Sequence, residues 1–304
     1  MSRIEQALRR ASQGALDDGP SEPEIVNHAP LSLAHGGLPD VQMYASEREL
    51  PGHPVWPTPE RNAEEDRVEP VAPASLNAAA NEKLVVSPAA RPDIVEQYRR
   101  LAATLYQVDT GRPSRIVMIS SATAGEGKSL TASNLALTLS ESFRRSVLLI
   151  DGDLRRPTIH QVFKMPNRSG LNEVLQAAGE EKLSLIRMSP YLTVLPAGRP
   201  NPDPMGGLTS PRMRQVIDEA AANFEWVVID TPPVGLLSDA NLLAAMVDMI
   251  VLVIGAGTTP YALIERAVAS LNRGRIVGVV LNRVRHEHAD HHYYRYYGEA
   301  NAGS

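Results

Sequence analysis

The sequence predicts an α/β fold: an open, mostly parallel sheet wound by helices and preceded by a disordered linker. Three observations carry this expectation. Continuous Val/Ile/Leu runs of strand length recur without apolar–polar alternation, so both faces of each strand must be covered. Amphipathic, helix-period stretches separate these runs, as right-handed crossovers between parallel strands require. A glycine-rich loop with an adjacent Lys-Ser joins the first run to a helix, the arrangement of a phosphate-binding loop.

Residues 1–14 give a short amphipathic helix. Ile4, Leu8 and Ala11 share a face with Arg9 and Arg10 beside it, which suits either packing on its own domain or docking on a partner. Residues 15–90 hold eleven prolines and no sustained periodicity. Such a segment buries too little apolar surface to offset chain ordering and is predicted to be a disordered linker. Residues 91–285 form the folded domain. "RPDIVEQYRRLAATLYQV" has helical spacing, with Ile94, Tyr98, Leu101 and Leu105 along one side. Strand "RIVMIS" follows, then a helix from Gly127, strand "SVLLID", helix "GLNEVLQA" and strand "LTVLPA". Helix "SPRMRQVIDEAAANF" leads into "WVVID", then helix "SDANLLAAM", strand "DMIVLVI", helix "YALIERAVASLNRG" and strand "RIVGVVLNRV". Residues 286–304 are a His/Tyr-rich tail.

Bulk composition excludes several function classes. A net charge of −5 gives no support to a nucleic-acid binder, which usually carries a basic surplus. The absence of cysteine removes disulfides, thiolate nucleophiles and cysteine metal sites, and fits a reducing compartment. The opening "MSRIEQALRRAS" lacks the apolar run of a secretory signal. The longest apolar stretch, "LLAAMVDMIVLVIGAG", is interrupted by Asp248 and reads as a helix end followed by a buried strand. A cytoplasmic protein that reaches the membrane only through a partner is therefore expected.

The chemistry gathers at strand ends, where ligands of open parallel sheets bind. Residues 122–129 read A-x-x-x-x-G-K-S, with alanine at the usual first glycine. In this reading the backbone of Ala124, Gly125, Glu126 and Gly127 turns N–H groups onto phosphate oxygens at the start of a helix. Lys128 supplies positive charge to the outer phosphates of ATP, the Ser129 hydroxyl completes a Mg²⁺ shell, and Leu130 follows in the binding segment. "LLIDGDLRRP" sets Asp151 and Asp153 at the end of the next strand, and "WVVIDTPP" sets Asp230 at the end of another. A lone aspartate after a strand is usually a cap or a turn residue; three of them around a phosphate loop point to metal and nucleophile chemistry.

Together these segments resemble the deviant-Walker branch of the P-loop NTPases, and within it the bacterial protein-tyrosine kinases of capsule and exopolysaccharide systems. "LPAGRPNPDPMGGL" and "GVVLNRV" look like further segments of that family, and the opening "MSRIEQALRRA" looks like the start of its export-associated members. The resemblance implies an autokinase in which Asp151 is the base or orienting group. It further implies that Ser129, Asp153 and Asp230 hold Mg²⁺ and that Asn282 contacts the adenine. It also implies a ring-shaped homo-oligomer, a separate membrane activator of the chain-length-determinant type, and a cognate tyrosine phosphatase. The family's interfacial E-x-x-R-x-x-R is incomplete here: Glu96 and Arg99 are present, Ala102 takes the third position, and Arg100 is a displaced substitute. The alternative is a spatial-positioning ATPase of the MinD/ParA type, but Thr123 occupies the place of its diagnostic lysine.

The tail separates the two. Tyr293, Tyr294, Tyr296 and Tyr297 are four of only nine tyrosines in the chain. Beside a kinase-like site they read as the autophosphorylation substrate; without it, an adhesive strand or an accident of composition would serve. His286, His288, His291 and His292 in the same stretch read as solvated polar residues rather than a metal site.

Overall fold

The computed structural model describes residues 83–177, 183–235 and 238–284. Its elements follow the order read from the sequence. Helix α1 (Pro92–Tyr106) precedes β1 (Arg115–Ser121), α2 (Lys128–Leu137), β2 (Val147–Asp151), α3 (Ile159–Val162) and α4 (Leu171–Gln176). Then come β3 (Ile186–Arg187), β4 (Leu192–Leu195), α5 (Met205–Leu208), α6 (Pro211–Asn223), β5 (Trp226–Asp230) and α7 (Asp239–Ala244). Strand β6 (Met249–Gly255), α8 (Tyr261–Ser270) and β7 (Ile276–Asn282) complete the described part.

The seven strands form one sheet in the order β3-β4-β2-β5-β1-β6-β7. Every neighbouring pair is parallel except β3 with β4. The apolar runs are buried as their lack of alternation requires: β2, β5 and β6 are buried at every position. Helix α2 is covered on nearly all sides, and Ala132, Ser133 and Ala136 let it lie close to the sheet. Local chemistry sets the helix ends. Pro92 opens α1 after an extended Arg91, and the Ser210 side chain accepts the Met213 N–H at the start of α6. Asp248, the charge that interrupts the longest apolar run, is used structurally: its carboxylate accepts the Ile116 N–H at 3.0 Å and lies 3.7 Å from Arg112. Among the described residues no helix is long and apolar enough to cross a membrane.

Order begins earlier than composition implied. Residues 83–90, assigned to the linker with the rest of the Pro-rich segment, form a strap over α2. Leu84 is 1% exposed and joins the main core. Buried Asn134 on α2 acts as a substitute strand, accepting the Val85 N–H through Oδ1 and donating Nδ2 to the Lys83 carbonyl, both at 3.0 Å. The apolar triplet Leu84-Val85-Val86 is too short to leave a periodic trace, and the partner of this segment, Asn134, lies far along the sequence. Leu84→Ala is expected to cost about 2–4 kcal/mol through lost burial and the cavity left behind. Val86→Ala, at a position 45% exposed, should stay within roughly 0.5 kcal/mol. Denaturant midpoints of the two variants check this.

On α1, Glu96 pairs within its own helix, at 3.8 Å from Arg99 and 3.7 Å from Arg100. Ala102 is fully buried, so a charged side chain at that position would enter the core. The incomplete interfacial pattern thus has a packing reason. The short α3, α5 and β3, and the π-helical continuation of α2 through Thr138–Ser142, were not anticipated. Residues 1–82 and 286–304, with the tyrosine cluster, lie outside the described residues.

Candidate active site

Strand β1 ends at the centre of the sheet, and the loop after it turns into α2 through two left-handed glycines, Gly125 at φ 81° and Gly127 at φ 96°. Gly127 has a second reason to be glycine: a Cβ there would collide with the Asn282 side chain. The Glu126 backbone belongs to the loop, but its side chain turns the other way, into the fold. One carboxylate oxygen accepts the Thr123 N–H at 2.7 Å; the other accepts the Gly255 N–H at 3.1 Å and the Thr259 hydroxyl. Glu126 thereby pins the loop to the end of β6. Nothing in its sequence position distinguishes this role from contact with nucleotide.

The expected carboxylates meet on one side of this loop. Strands β2 and β5 are adjacent and in a register that sets Asp151 opposite Asp230. Lys128 reaches into them: its Nζ lies 3.1 Å from Asp153 Oδ2, 3.8 Å from Asp230 Oδ1 and 3.4 Å from Ser129 Oγ. Burial disfavours charge on this lysine, but the Asp230 and Asp153 carboxylates outweigh it and hold the ammonium above its ordinary range.

The three aspartates differ in environment. Asp151 accepts the Thr158 and Ile159 N–H groups on Oδ2, both at 3.0 Å, and the Asp153 N–H on Oδ1 at 3.3 Å. Burial and the Asp230 charge nevertheless push its carboxyl up to about 8. Asp153 Oδ1 accepts the Arg156 N–H at 3.1 Å, leaving Oδ2 to Lys128. Asp230 is fully buried and neither of its oxygens makes a well-formed hydrogen bond, although the Ser129 hydroxyl and the Thr231 N–H lie near enough to favour its charged form. Burial pushes it up to about 6 against the pull of Lys128.

A buried carboxylate without well-formed hydrogen bonds is costly unless a ligand satisfies it. Asp230 and Ser129 both lie beside Lys128, so the donor set fits Mg²⁺. Among the described residues no group of three or more His, Cys, Asp or Glu side chains forms a ready cage for a metal.

Sequence reasoning missed two supports. The Thr158 hydroxyl donates to Ser129 Oγ at 2.8 Å while its N–H holds Asp151, so one residue orients two groups of the site. Arg155 forms a forked pair with buried Asp239, at 2.6 and 3.2 Å, and also donates to the Pro202 carbonyl. It ties the segment after β2 to α7. Its arginine was visible in "LRRP", but its partner sits 84 residues away.

On the other side of the loop, Asn282 donates Nδ2 to the Glu126 carbonyl at 2.8 Å and accepts the Arg283 N–H on Oδ1 at 2.9 Å. A cavity of about 480 Å³ opens there, lined by Lys83, Tyr98, Leu130, Val280 and Asn282 among others. Leu130 therefore faces this cavity, while Ala124 and Gly125 are exposed on the loop.

A sheet of this topology with a phosphate loop, strand-end aspartates and a buried lysine defines a nucleotide-binding protein of the P-loop class. A family profile described as the CobQ/CobB/MinD/ParA nucleotide binding domain matches residues 117–303, and the chain belongs to that family. Within it, the chain is a bacterial tyrosine-protein kinase. It is 36% identical over 203 residues to the tyrosine-protein kinase YwqD of Bacillus subtilis, covering 66% of this chain and 85% of the relative. Over 210 residues it is 30% identical to the putative tyrosine-protein kinase CapB of Staphylococcus aureus, covering 68% of this chain and 91% of that one. The succinoglycan biosynthesis transport protein ExoP of Rhizobium meliloti shares 32% identity over 205 residues, 66% of this chain and 26% of that protein. Among solved structures, the kinase domain of Escherichia coli tyrosine kinase ETK superposes with a TM-score of 0.59 at 31% identity, covering 68% of this chain and 82% of that one. The spatial-positioning ATPases are only distant relations.

Proposed function

We propose that this kinase transfers the γ-phosphoryl group of ATP to Tyr293, Tyr294, Tyr296 and Tyr297 of a neighbouring copy, and thereby regulates exopolysaccharide synthesis or export. The observation that carries the reading is the buried Asp230 carboxylate beside Lys128, whose oxygens make no well-formed hydrogen bond. The residues that would hold Mg²⁺ are Ser129, Asp153 and Asp230. When bound, the ion supplies the positive charge that these carboxylates and the phosphate oxygens together require.

A phenol with pKa about 10 stays protonated until late in a loose transition state. Burial and the neighbouring Asp230 charge raise the Asp151 carboxyl, so once deprotonated it is a stronger base than an ordinary carboxylate. Its Thr158 and Ile159 hydrogen bonds fix its position. The N–H groups of the loop and the Lys128 ammonium then hold the transferring phosphoryl group.

The rest of the reading concerns assembly. Subunits form a ring, each tail entering its neighbour's site. A membrane protein of the chain-length-determinant type recruits the kinase to the inner face of the membrane and activates it, and a tyrosine phosphatase resets it. Each phosphate adds roughly −1.5 to −2 charges, so a fully modified tail is repelled by the site's carboxylates and the ring opens. The name of the succinoglycan transport relative supports the polysaccharide context.

Incubation with γ-labelled ATP and Mg²⁺ tests this. Label is expected to remain on the protein and to map to the tail. Replacing the four tyrosines by phenylalanine should remove nearly all of it. Undiminished label in that variant would contradict the tail assignment, and free phosphate with unlabelled protein would contradict transfer to protein altogether.

A further inference from the structure

The end of β7 reaches back over the phosphate loop with two donors. Asn282 Nδ2 donates to the Glu126 carbonyl and Arg283 Nη2 donates to the Gly125 carbonyl. The peptides are trans, so the N–H following each carbonyl points the opposite way. Drawing the Gly125 and Glu126 carbonyls toward β7 therefore aims the Glu126 and Gly127 N–H groups away from it. In the sheet order β7 lies beyond β6 on one side of β1, whereas β5 and β2 with their aspartates lie on the other. These N–H groups thus face the side where Lys128 and the carboxylates converge.

We propose that Asn282 and Arg283 are positioning residues for the phosphate grip: they hold the loop amides in the orientation that receives a polyphosphate. Glu126 completes the brace by fixing the same loop to Gly255 and Thr259. Arg283 holds its place in a left-handed conformation, φ 62°, that a long side chain adopts at a cost. The chain leaves β7 through these two residues toward the tyrosines, so the root of the substrate tail is also a strut of the nucleotide site. This inference rests on the nucleotide-binding reading and adds a role that an adenine contact by Asn282 would not give.

Inorganic tripolyphosphate, which has no base, separates the two roles. Its affinity and those of ATP and GTP, each with Mg²⁺, are measured on the full chain and on Asn282→Ala, Arg283→Ala and Arg283→Lys. Loss of one hydrogen bond to the loop should weaken all three ligands alike, by roughly three- to tenfold. Arg283→Lys, which keeps a donor, should recover most of the loss.

Unchanged tripolyphosphate affinity with an altered ATP-to-GTP preference would overturn the proposal and leave Asn282 a base contact. Unchanged affinity for all three ligands would overturn it as well. Lys128→Ala serves as the reference: if it too leaves tripolyphosphate binding intact, the phosphate-loop reading itself fails. Arg283 is exposed, so its variants carry the test even if Asn282→Ala unfolds, which thermal denaturation would report.

Discussion

Replacing Lys128 by alanine is expected to lower phosphoryl transfer by about two to three orders of magnitude, the loss seen when one preorganised donor to a developing charge is removed. The magnitude follows from the company this lysine keeps. Its ammonium lies 3.1 Å from one strand-end carboxylate and 3.8 Å from another, and those charges hold it protonated despite burial. Without it, a triphosphate would approach three carboxylates with only the metal to offset them. Arginine should not rescue the loss, because its fork is wider and directional where the site presents room for a point charge. Alanine is not expected to unfold the domain: a buried carboxylate that loses its partner takes up a proton instead. Initial rates of label transfer, with circular dichroism as a check on folding, measure the effect. A residual rate above roughly a tenth would place phosphate neutralisation elsewhere.

The sequence announced this site because its parts are written locally. A strand, a turn and a helix occur within one contiguous stretch around residues 115–137, so glycine positions and the Lys-Ser pair carry their meaning without tertiary information. Asp151 and Asp230 were visible for the same reason, each closing an apolar run. Their adjacency is a property of strand order, β2 beside β5, and becomes visible only when the sheet is assembled.

What stayed hidden depends on pairs distant in sequence or on the direction of a side chain. Val85 and Asn134, Arg155 and Asp239, and Thr158 and Ser129 are each unremarkable alone. Glu126 is the sharper case. Its backbone lies in the loop between β1 and α2, yet its carboxylate points into the fold. No periodicity encodes that choice. It follows from electrostatics: a carboxylate facing the phosphates would repel them, whereas Gly255 and Thr259 offer it donors in the interior. Asn282 shows the same limit, since a strand-end asparagine can face a base, a loop or both.

The aspartates give the second large effect, and it has opposite signs for stability and for activity. Asp230 titrates at about 6 in the fold, against about 3.9 in an unfolded chain. Between those values the folded protein keeps a proton that the unfolded one has lost, so stability falls as pH rises through this window. Above about 6 the penalty is complete, on the order of 3 kcal/mol. Asp151, raised to about 8, extends the decline upward. Asp230→Asn removes the charge while keeping the shape. The ligand-free variant should therefore match the parent near pH 4 and exceed it at pH 7.5 by on the order of 3 kcal/mol, roughly 6–12 °C in Tm for a domain of this size.

If Asp230 holds Mg²⁺ as proposed, the same substitution should abolish Mg²⁺-dependent transfer and the stabilisation that Mg²⁺-ATP gives the parent, because one carboxylate both destabilises the ligand-free fold and recruits the ion. Thermal scans at the two pH values, with and without Mg²⁺-ATP, supply all four comparisons. A variant less stable than the parent at pH 7.5 would mean that the Lys128 attraction outweighs desolvation. The Asp230 carboxylate would then not be a strained site awaiting a cation.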